Sequence, residues 1–302
     1  MKPSSDQHPD LRAYTGIVLG VSMVSSAAIL IRLAQGEGLV SLQIAAWRLT
    51  LATLILAPVV LITGWRELRS LTLRDLGAVL AAGAFLALHF ASWIQSLAMT
   101  TVAASVVLVL TSPLFVALAS TLLLGEALGR RVVLALVVSM VGSVLIGVGD
   151  LGKGSHQFLG DLLAVVGAIA AAGYFIIGRR LRARLSLLTY VVPVYGTAAV
   201  LLMGILAFTD VSIVSHTPRG WLWLLLLAIG PQILGHSSLN WALRYFSATY
   251  VTLATLAEPV VSTLLAWWVL GEIPSLWALG GGGLILAGIV LASRAERPQQ
   301  RR

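Results

Sequence analysis

Two ionisable side chains stand where the sequence is otherwise apolar: Glu258, within Leu256-Ala257-Glu258-Pro259-Val260, and Arg48, within Ala46-Trp47-Arg48-Leu49. An ion in such surroundings is costly unless it is paired or hydrated, and inside a membrane segment it marks a functional position. Glu258 could exchange a proton, act as counter-ion to a cation, or be a fixed packing residue beside Pro259, bonded to a serine or to Arg48. Arg48 could grip a carboxylate through two parallel bonds. Equally, it could snorkel outward or pair with an acid such as Glu37, and a structural or gating role is the reading preferred for it.

Polar and aromatic residues recur at helical spacing elsewhere in apolar sequence. Phe85, His89 and Trp93 repeat every four residues, as do Gln232, His236 and Asn240. Residues so spaced share one helix face, and polar ones are expected to look into the bundle or a wet cavity. A substrate cavity is therefore expected between these two faces. The competing account is structural: either histidine could donate to a neighbouring backbone carbonyl, a bond worth about 0.6 kcal/mol on average in membrane proteins. Trp93 could equally belong to an interfacial aromatic belt. Ser22 and Ser26 could line the pathway or bond the preceding turn's carbonyls, and Tyr174 and Tyr195 could wall a site or simply pack.

The elements that must position these residues are membrane helices. The chain has 302 residues, 58% hydrophobic and 11% charged, and Leu76 to Gly125 contains no Asp, Glu, Lys or Arg. A helix of about 20 apolar residues crosses a bilayer. Ten spans are expected: Tyr14–Leu33, Val40–Thr63, Leu76–Ala98, Val102–Leu124, Val132–Val148, Phe158–Ile177, Leu187–Phe208, Gly220–Leu243, Tyr250–Leu270 and Leu276–Ala292. All but four of the 20 basic residues fall on the tails and on every second loop; the exceptions are Arg32, Arg48, Lys153 and Arg219. By the positive-inside rule both termini are then cytoplasmic. The net charge of +8 is thus a topology signal that can also touch anionic lipid heads, and no nucleic-acid motif accompanies it.

The chain is also written twice. Ser112-Pro113 leads to Gly125-Glu126 as Glu258-Pro259 leads to Gly271-Glu272, at an offset of 146 residues, and Leu97, Thr101 and Gly142 meet Leu243, Ser247 and Gly288 at the same offset. The first repeat takes residues 1–150 and the second 151–302. Five spans per copy is odd, so the second copy enters the membrane inverted, with Glu126 cytoplasmic and Glu272 extracytoplasmic. Inverted repeats recur in secondary transporters. The fold expected is all-α: ten transmembrane helices as two inverted five-helix repeats. Pro113 and Pro259, each freeing a carbonyl four residues earlier, are expected to be paired hinges, with Pro193 and Pro231 further breaks inside spans.

Enzymatic chemistry finds little footing. Gly147 to Gly154 nearly spells a phosphate-binding loop, but Gly154 stands where Ser or Thr is required and no strand precedes it. There is no zinc motif, no nucleophile elbow and no cysteine. No catalytic residue, metal or cofactor is expected, and a passive channel is the nearer rival to a carrier, although mid-membrane charge is confined to Arg48 and Glu258.

The duplicated helix–Pro–helix–Gly-Glu unit, Ser112-Pro113…Gly125-Glu126 and Glu258-Pro259…Gly271-Glu272, together with Arg48 in the second span, resembles the ten-helix EamA-type members of the drug/metabolite transporter superfamily from Tyr14 to about Ala292. Within it the chain is most similar to the YddG-type aromatic or broad amino-acid exporters. That resemblance implies export or facilitated passage of small metabolites, amino acids foremost, across a bacterial inner membrane by a monomer without ATP. A drug-like cation, with Glu258 as its counter-ion, is the alternative cargo.

Overall fold

The computed structural model describes residues 11–100, 102–125, 128–148, 157–215, 217–270 and 276–295, and every regular element among them is helical. Glu126, Gly271, Glu272, Thr101 and the stretch Gly149 to Gly154 lie outside the described residues, as does the boundary between the repeats. In chain order the helices form α1 (Leu11–Val24, resuming as Ala27–Gly36), α2 (Ser41–Thr63), α3 (Leu73–Met99), α4 (Val102–Val109, then Ser112–Ala119 and a wide turn over Ser120–Leu124) and α5 (Arg130–Val148). They continue as α6 (Gln157–Arg182), α7 (Leu187–Ala207), α8 (Pro218–Leu227, π-helical over Ala228–His236, then Ser237–Ala242), α9 (Ala248–Ala254, 3-10 over Thr255–Ala257, then Glu258–Leu270) and α10 (Leu276–Ala295).

Among the described residues seven helices are long and apolar enough to cross a bilayer, namely α1 to α4 and α6 to α8, and Leu279–Ala295 is a shorter apolar helix. In α9 the 3-10 turn separates pieces of 7 and 13 residues, so neither alone reaches the roughly 20 residues of a full crossing. The outward faces carry large exposed side chains such as Leu54, Ile62, Leu122, Leu134, Val200 and Leu279, while Arg48, Gln232 and Asn240 are buried. Polar inside and apolar outside is the pattern of a multi-pass membrane protein.

The helices break where the sequence removes or diverts a backbone bond. In α1, Ser25 Oγ bonds Val21 O at 2.7 Å and Ser26 Oγ bonds Met23 O at 2.8 Å, back-bonding that bends helices, and Ser262 of α9 donates to the freed Ser25 carbonyl at 2.9 Å. In α4 the helix stops at Leu110-Thr111 and restarts at Ser112-Pro113; in α9 it restarts at Glu258-Pro259 after the 3-10 turn. Proline in a first turn loses no intrahelical bond, so both prolines mark helix restarts rather than mid-helix kinks. Relieving both constraints at once, Pro113→Ala with Pro259→Ala, is expected to slow substrate exchange in liposomes; unchanged turnover would remove these sites as hinges. Gly125 closes α4 with φ of +67°, a left-handed position that explains the glycine of the repeated Gly-Glu unit.

Packing repeats the duplication. α3 lies along α6 as α8 lies along α1, α7 touches α3 as α2 touches α8, and α2 with α7, α4 with α9 and α5 with α10 form self-paired sets. Adding five to each helix number maps every one of these pairs onto another or onto itself. At the α5–α10 crossing the mapping holds residue by residue. A Cβ on Gly142 would meet Gly281 O at 2.5 Å and Ile285 Cγ1 at 2.9 Å, and one on Gly288 would meet Ser139 Oγ and, at 2.8 Å, Ala135 O. The pairs 135/281, 139/285 and 142/288 are all 146 apart. As numbers rise along α5 they fall along α10, so the two helices run antiparallel about a local two-fold, the self-complementary arrangement of an isologous contact.

Candidate functional site

A cavity of about 50 Å³ lies between the two repeats, lined by Val24 and Ala27 of α1, His89 and Trp93 of α3, Val109, Leu110 and Ser112 of α4, Ala171 and Phe175 of α6, His236 and Leu239 of α8, and Thr255 and Glu258 of α9. At about 10–15 Å³ of such volume per water, it holds a few waters, and any organic occupant requires it to widen. The helix breaks in α1, α4 and α9 all abut it, which fits irregular backbone being tolerated in membranes where it borders a cavity.

His89 serves both of its expected roles. Its Nδ1 lies 2.9 Å from Gly167 O; since a carbonyl only accepts, Nδ1 carries the proton and Nε2 of the neutral ring is left as an acceptor. The imidazole stacks on Trp93, centroids 5.9 Å apart at 12°, and faces His236 at 6.4 Å. The helices approach closely at Gly167, where a Cβ would crowd Ser92 Oγ at 3.2 Å and make ordinary contact with Trp93 and the His89 carbonyl. Trp93 is buried in the cavity wall with its indole Nε1 unpartnered, a pocket position. Ser112 and Glu258 are equivalent residues of the two repeats, and the structure puts both in one cavity. In the sequence Ser112 stands out only as part of the repeated Ser112-Pro113 unit; its offset of 146 from Glu258 is the signal that places it here. Phe175, an apolar residue among apolar neighbours, gave none.

Beside the cavity lies a second polar region. Arg48 is 0% exposed, its Nε and both terminal nitrogens without a hydrogen-bond partner. It neither snorkels outward nor pairs with Glu37 or Glu258 among the described residues, so neither of the two contacts expected of it is made. Its Cζ lies 4.0 Å above the Phe90 ring, and Phe90 meets His236 edge-on at 5.2 Å. Gln232 is fully buried with its side-chain amide unpartnered. Tyr195 OH donates toward Gln232 O at 3.4 Å and sits 3.1 Å from Ser237 Oγ. Asn240 donates to Tyr174 OH and, at 2.6 Å, to His236 O. Thus Gln232, Asn240, Tyr174 and Tyr195 do not line the cavity; they form the buried polar frame behind His236.

Three further expected residues fall outside the lining. Phe85 is 37% exposed, packed where a Cβ on Gly173 would touch its ring at 2.8 Å. Four residues advance a helix by about 400°, so each i+4 step drifts about 40° and three residues spread over some 80°; His89 and Trp93 keep the cavity and Phe85 turns toward α6 and lipid. The π-helical stretch of α8, Ala228–His236, shifts register between Gln232 and His236, while Asn240, in the α-helical turn that follows, departs from His236 by the ordinary drift of an i+4 step. Ser22 is not in the lining, and Ser26 bonds its own turn.

The two ends of the bundle carry matching ties that no sequence pattern announced. At one end Glu67 accepts from Ser186 N at 2.8 Å and from Thr189 Oγ1 at 2.7 Å, while Asp75 pairs with Arg184. At the other, Gln43 donates to Ser212 O and Trp47 Nε1 to Ile213 O at 2.6 Å. Glu67 and Thr189 correspond to Ile213 and Gln43 at the 146-residue offset, so the ties are equivalent, but only one contains a carboxylate. Partial burial works against the charge of Glu67; the Ser186 and Thr189 bonds and nearby Arg182 outweigh it and hold the carboxyl below its usual 4.5. A depressed folded pKa stabilises above the unfolded value and is lost as pH falls through the folded one. Wild type is therefore expected to lose thermal stability below about pH 4.5 in part through this tie, and Glu67→Gln to flatten that part of the Tm–pH curve.

Comparison with known proteins shows what the chain is similar to. The model of the EamA-like transporter family matches it twice, at residues 11–148 and 158–294. The Pseudopaline exporter CntI of Pseudomonas aeruginosa is 32% identical over 223 residues, 72% of this chain and 75% of that protein. The Uncharacterized transporter YdfC of Bacillus subtilis is 24% identical over 255 residues, covering 84% and 82% of the two chains. One solved crystal structure superposes with a TM-score of 0.77 at 21% identity, covering 94% of this chain and 98% of the other, a likeness of fold alone.

Proposed function

Because the chain belongs to the EamA-like transporter family, and is thus a membrane transporter rather than an enzyme, we propose that it is a secondary carrier that exports or facilitates passage of amino acids by alternating access. It works as a monomer in a bacterial inner membrane, with both termini cytoplasmic and ten helices in two inverted repeats, residues 1–150 and 151–302. The observation that carries this reading is the position of the cavity. His89, Trp93 and Ser112 come from the first repeat and His236, Phe175 and Glu258 from the second, so rocking one repeat against the other changes access to the site without dismantling either half. The antiparallel two-fold at Gly142 and Gly288 supports the inversion, and with a tie between the repeats at each end, both made in this structure, rocking would open one end by breaking one tie while the other holds.

Phenylalanine suits the wall chemistry: Trp93, Phe175 and His89 offer aromatic faces, and Glu258 a carboxylate for an ammonium group. The test is counterflow of labelled phenylalanine in liposomes holding the purified protein, with threonine, glutamate and a quaternary ammonium dye as competitors. Saturable exchange blocked by other amino acids is the expected result; a linear, non-saturating flux would mean a channel. Glu258 also favours a second cargo, an organic cation, and movement of the dye without phenylalanine exchange would select it.

A further inference from the structure

Among the described residues the least satisfied group is the guanidinium of Arg48. It is fully buried, its three nitrogens have no hydrogen-bond partner, and no acid among the described residues pairs with it. A buried charge is retained only where it is paired or hydrogen-bonded, and removing its partner is what makes it strongly destabilising. What surrounds Arg48 does not neutralise it. The Phe90 face lies 4.0 Å from Cζ, an attraction far weaker than a counter-ion. Tyr195 and His236 are its electrostatic neighbours, and neither is an anion. Gln232, whose carbonyl oxygen partners Tyr195, has an amide whose donor and acceptor are both buried and unused.

We propose that Arg48 and Gln232 form the binding site for the carboxylate of the transported molecule, and that Glu258 in the adjoining cavity takes its positively charged group, so that the carrier reads a zwitterion by its two ends. The guanidinium presents a planar fork matched to a carboxylate's two oxygens, and the unused Gln232 amide, tied to Arg48's neighbour Tyr195 through the Gln232 backbone carbonyl, offers a further donor. His236 links the two compartments: it lines the cavity with Glu258 and touches the Phe90 ring that covers Arg48. Widening of the small cavity past Phe90 and His236 joins them. The site rests on the carrier reading for its occupant, but its chemistry is narrower: a carboxylate in the cavity wall and a fully buried cation held apart, each without a protein partner among the described residues until substrate arrives. An ion pair completed only by the cargo also gives a reason for leaving both charges unpaired, since a structural Arg48–Glu258 bridge would have to be broken for every passage.

Thermal stabilisation of the purified protein in detergent tests this without transport. L-Phenylalanine, 3-phenylpropionate, phenethylamine, L-phenylalaninamide and inorganic phosphate are titrated against wild type, Arg48→Gln and Glu258→Gln. Phenylalanine is expected to raise Tm at concentrations at least about tenfold below those needed by either one-ended analogue, because each charged hydrogen-bonded end contributes at least about a decade in affinity. The 3-phenylpropionate response should vanish in Arg48→Gln and survive in Glu258→Gln, with the reverse for phenethylamine. Equal responses to phenylalanine and its amide in wild type would overturn the proposal whether or not any variant folds. So would a phosphate response as strong as that to 3-phenylpropionate, which would mark a general anion site. Crossed sensitivities without phenylalanine counterflow would keep the zwitterion site and remove the amino-acid carrier reading; counterflow without carboxylate dependence would do the opposite.

Discussion

Glu258→Gln lowers phenylalanine exchange at subsaturating substrate by about 10- to 100-fold and leaves the protein folded. A hydrogen bond to a charged group contributes about 1.5–3 kcal/mol, and each 1.36 kcal/mol is a factor of ten. The substitution removes the charge and keeps the shape, so the loss reports the charge alone. Folding survives because Glu258 has no ion-pair partner among the described residues, and a neutral amide in that wall is cheaper to bury than a carboxylate. Ser112→Ala, at the equivalent position of the other repeat, is the matched control. It removes a hydroxyl from the same cavity and is expected to change exchange by no more than about two- to tenfold, the scale of a neutral hydrogen bond's net contribution. Dependence on an imposed pH gradient separates two roles within the main effect: if Glu258 carries a coupled proton, Glu258→Gln abolishes that dependence, and if the dependence persists Glu258 binds cargo without coupling. An exchange rate equal to wild type would take Glu258 out of the site altogether.

How far the sequence foretold this site depends on what kind of information each residue carries. Glu258, His89, His236 and Trp93 stand out because polar or amphipathic groups in apolar helices must be accounted for, and all four line the cavity. Arg48 stood out for the same reason, yet its surroundings were illegible: whether a buried guanidinium finds an acid is decided by helices far apart in sequence, and here it finds Phe90. Periodicity gave the face of α3 but not its width, so Phe85 was grouped with His89 although helical drift turns it to lipid. On α8, Gly230, Pro231 and the residues up to His236 adopt a π-helical register, which a constant period does not anticipate for Gln232, and Asn240 in the α-helical turn beyond leaves the face by the same drift as Phe85. The break at Ser25-Ser26 was equally hidden, because two serines in a helix do not reveal whether they bond the turn behind them or a pathway. Glu67 and Gln43 gave no signal: Glu67 lies among charged residues between spans and Gln43 in the first turn of α2, where a polar side chain is ordinary, and each acquires its role only when the repeats meet. The repeat itself was the most legible feature, because an offset survives where identity fades.

That offset also fixes where the fold is least forgiving. Gly142→Leu and Gly288→Leu are each expected to abolish recovery of folded protein, and the matching alanine variants to lower stability by nearly equal amounts. A Cβ at Gly142 comes within 2.5 Å of a backbone carbonyl, Gly281 O, and one at Gly288 meets Ser139 Oγ and Ala135 O. Backbone cannot rotate aside as a side chain can, so even a methyl forces α5 and α10 apart. Overpacking of this kind costs typically about 1–3 kcal/mol, and a leucine several times the volume leaves no close-packed solution. The contact between these helices rests on van der Waals approach, the main attraction available to apolar helices in lipid, and separating them also lengthens the 3.4 Å bond from Ser139 Oγ to Ile285 O. Similarity of the two alanine effects follows from the two-fold: each substitution inserts the same group beside a backbone carbonyl at equivalent positions of the other repeat, Gly281 O in one and Ala135 O in the other. Gly36, where nothing lies within 4 Å of the added atom, is the control, and Gly36→Ala should leave Tm within about 2 °C by the usual scale of surface substitutions. Melting curves of the purified variants decide the matter. A Gly142→Ala loss far larger or smaller than that of Gly288→Ala would mean that the α5–α10 crossing is not the symmetric axis about which the two repeats are built.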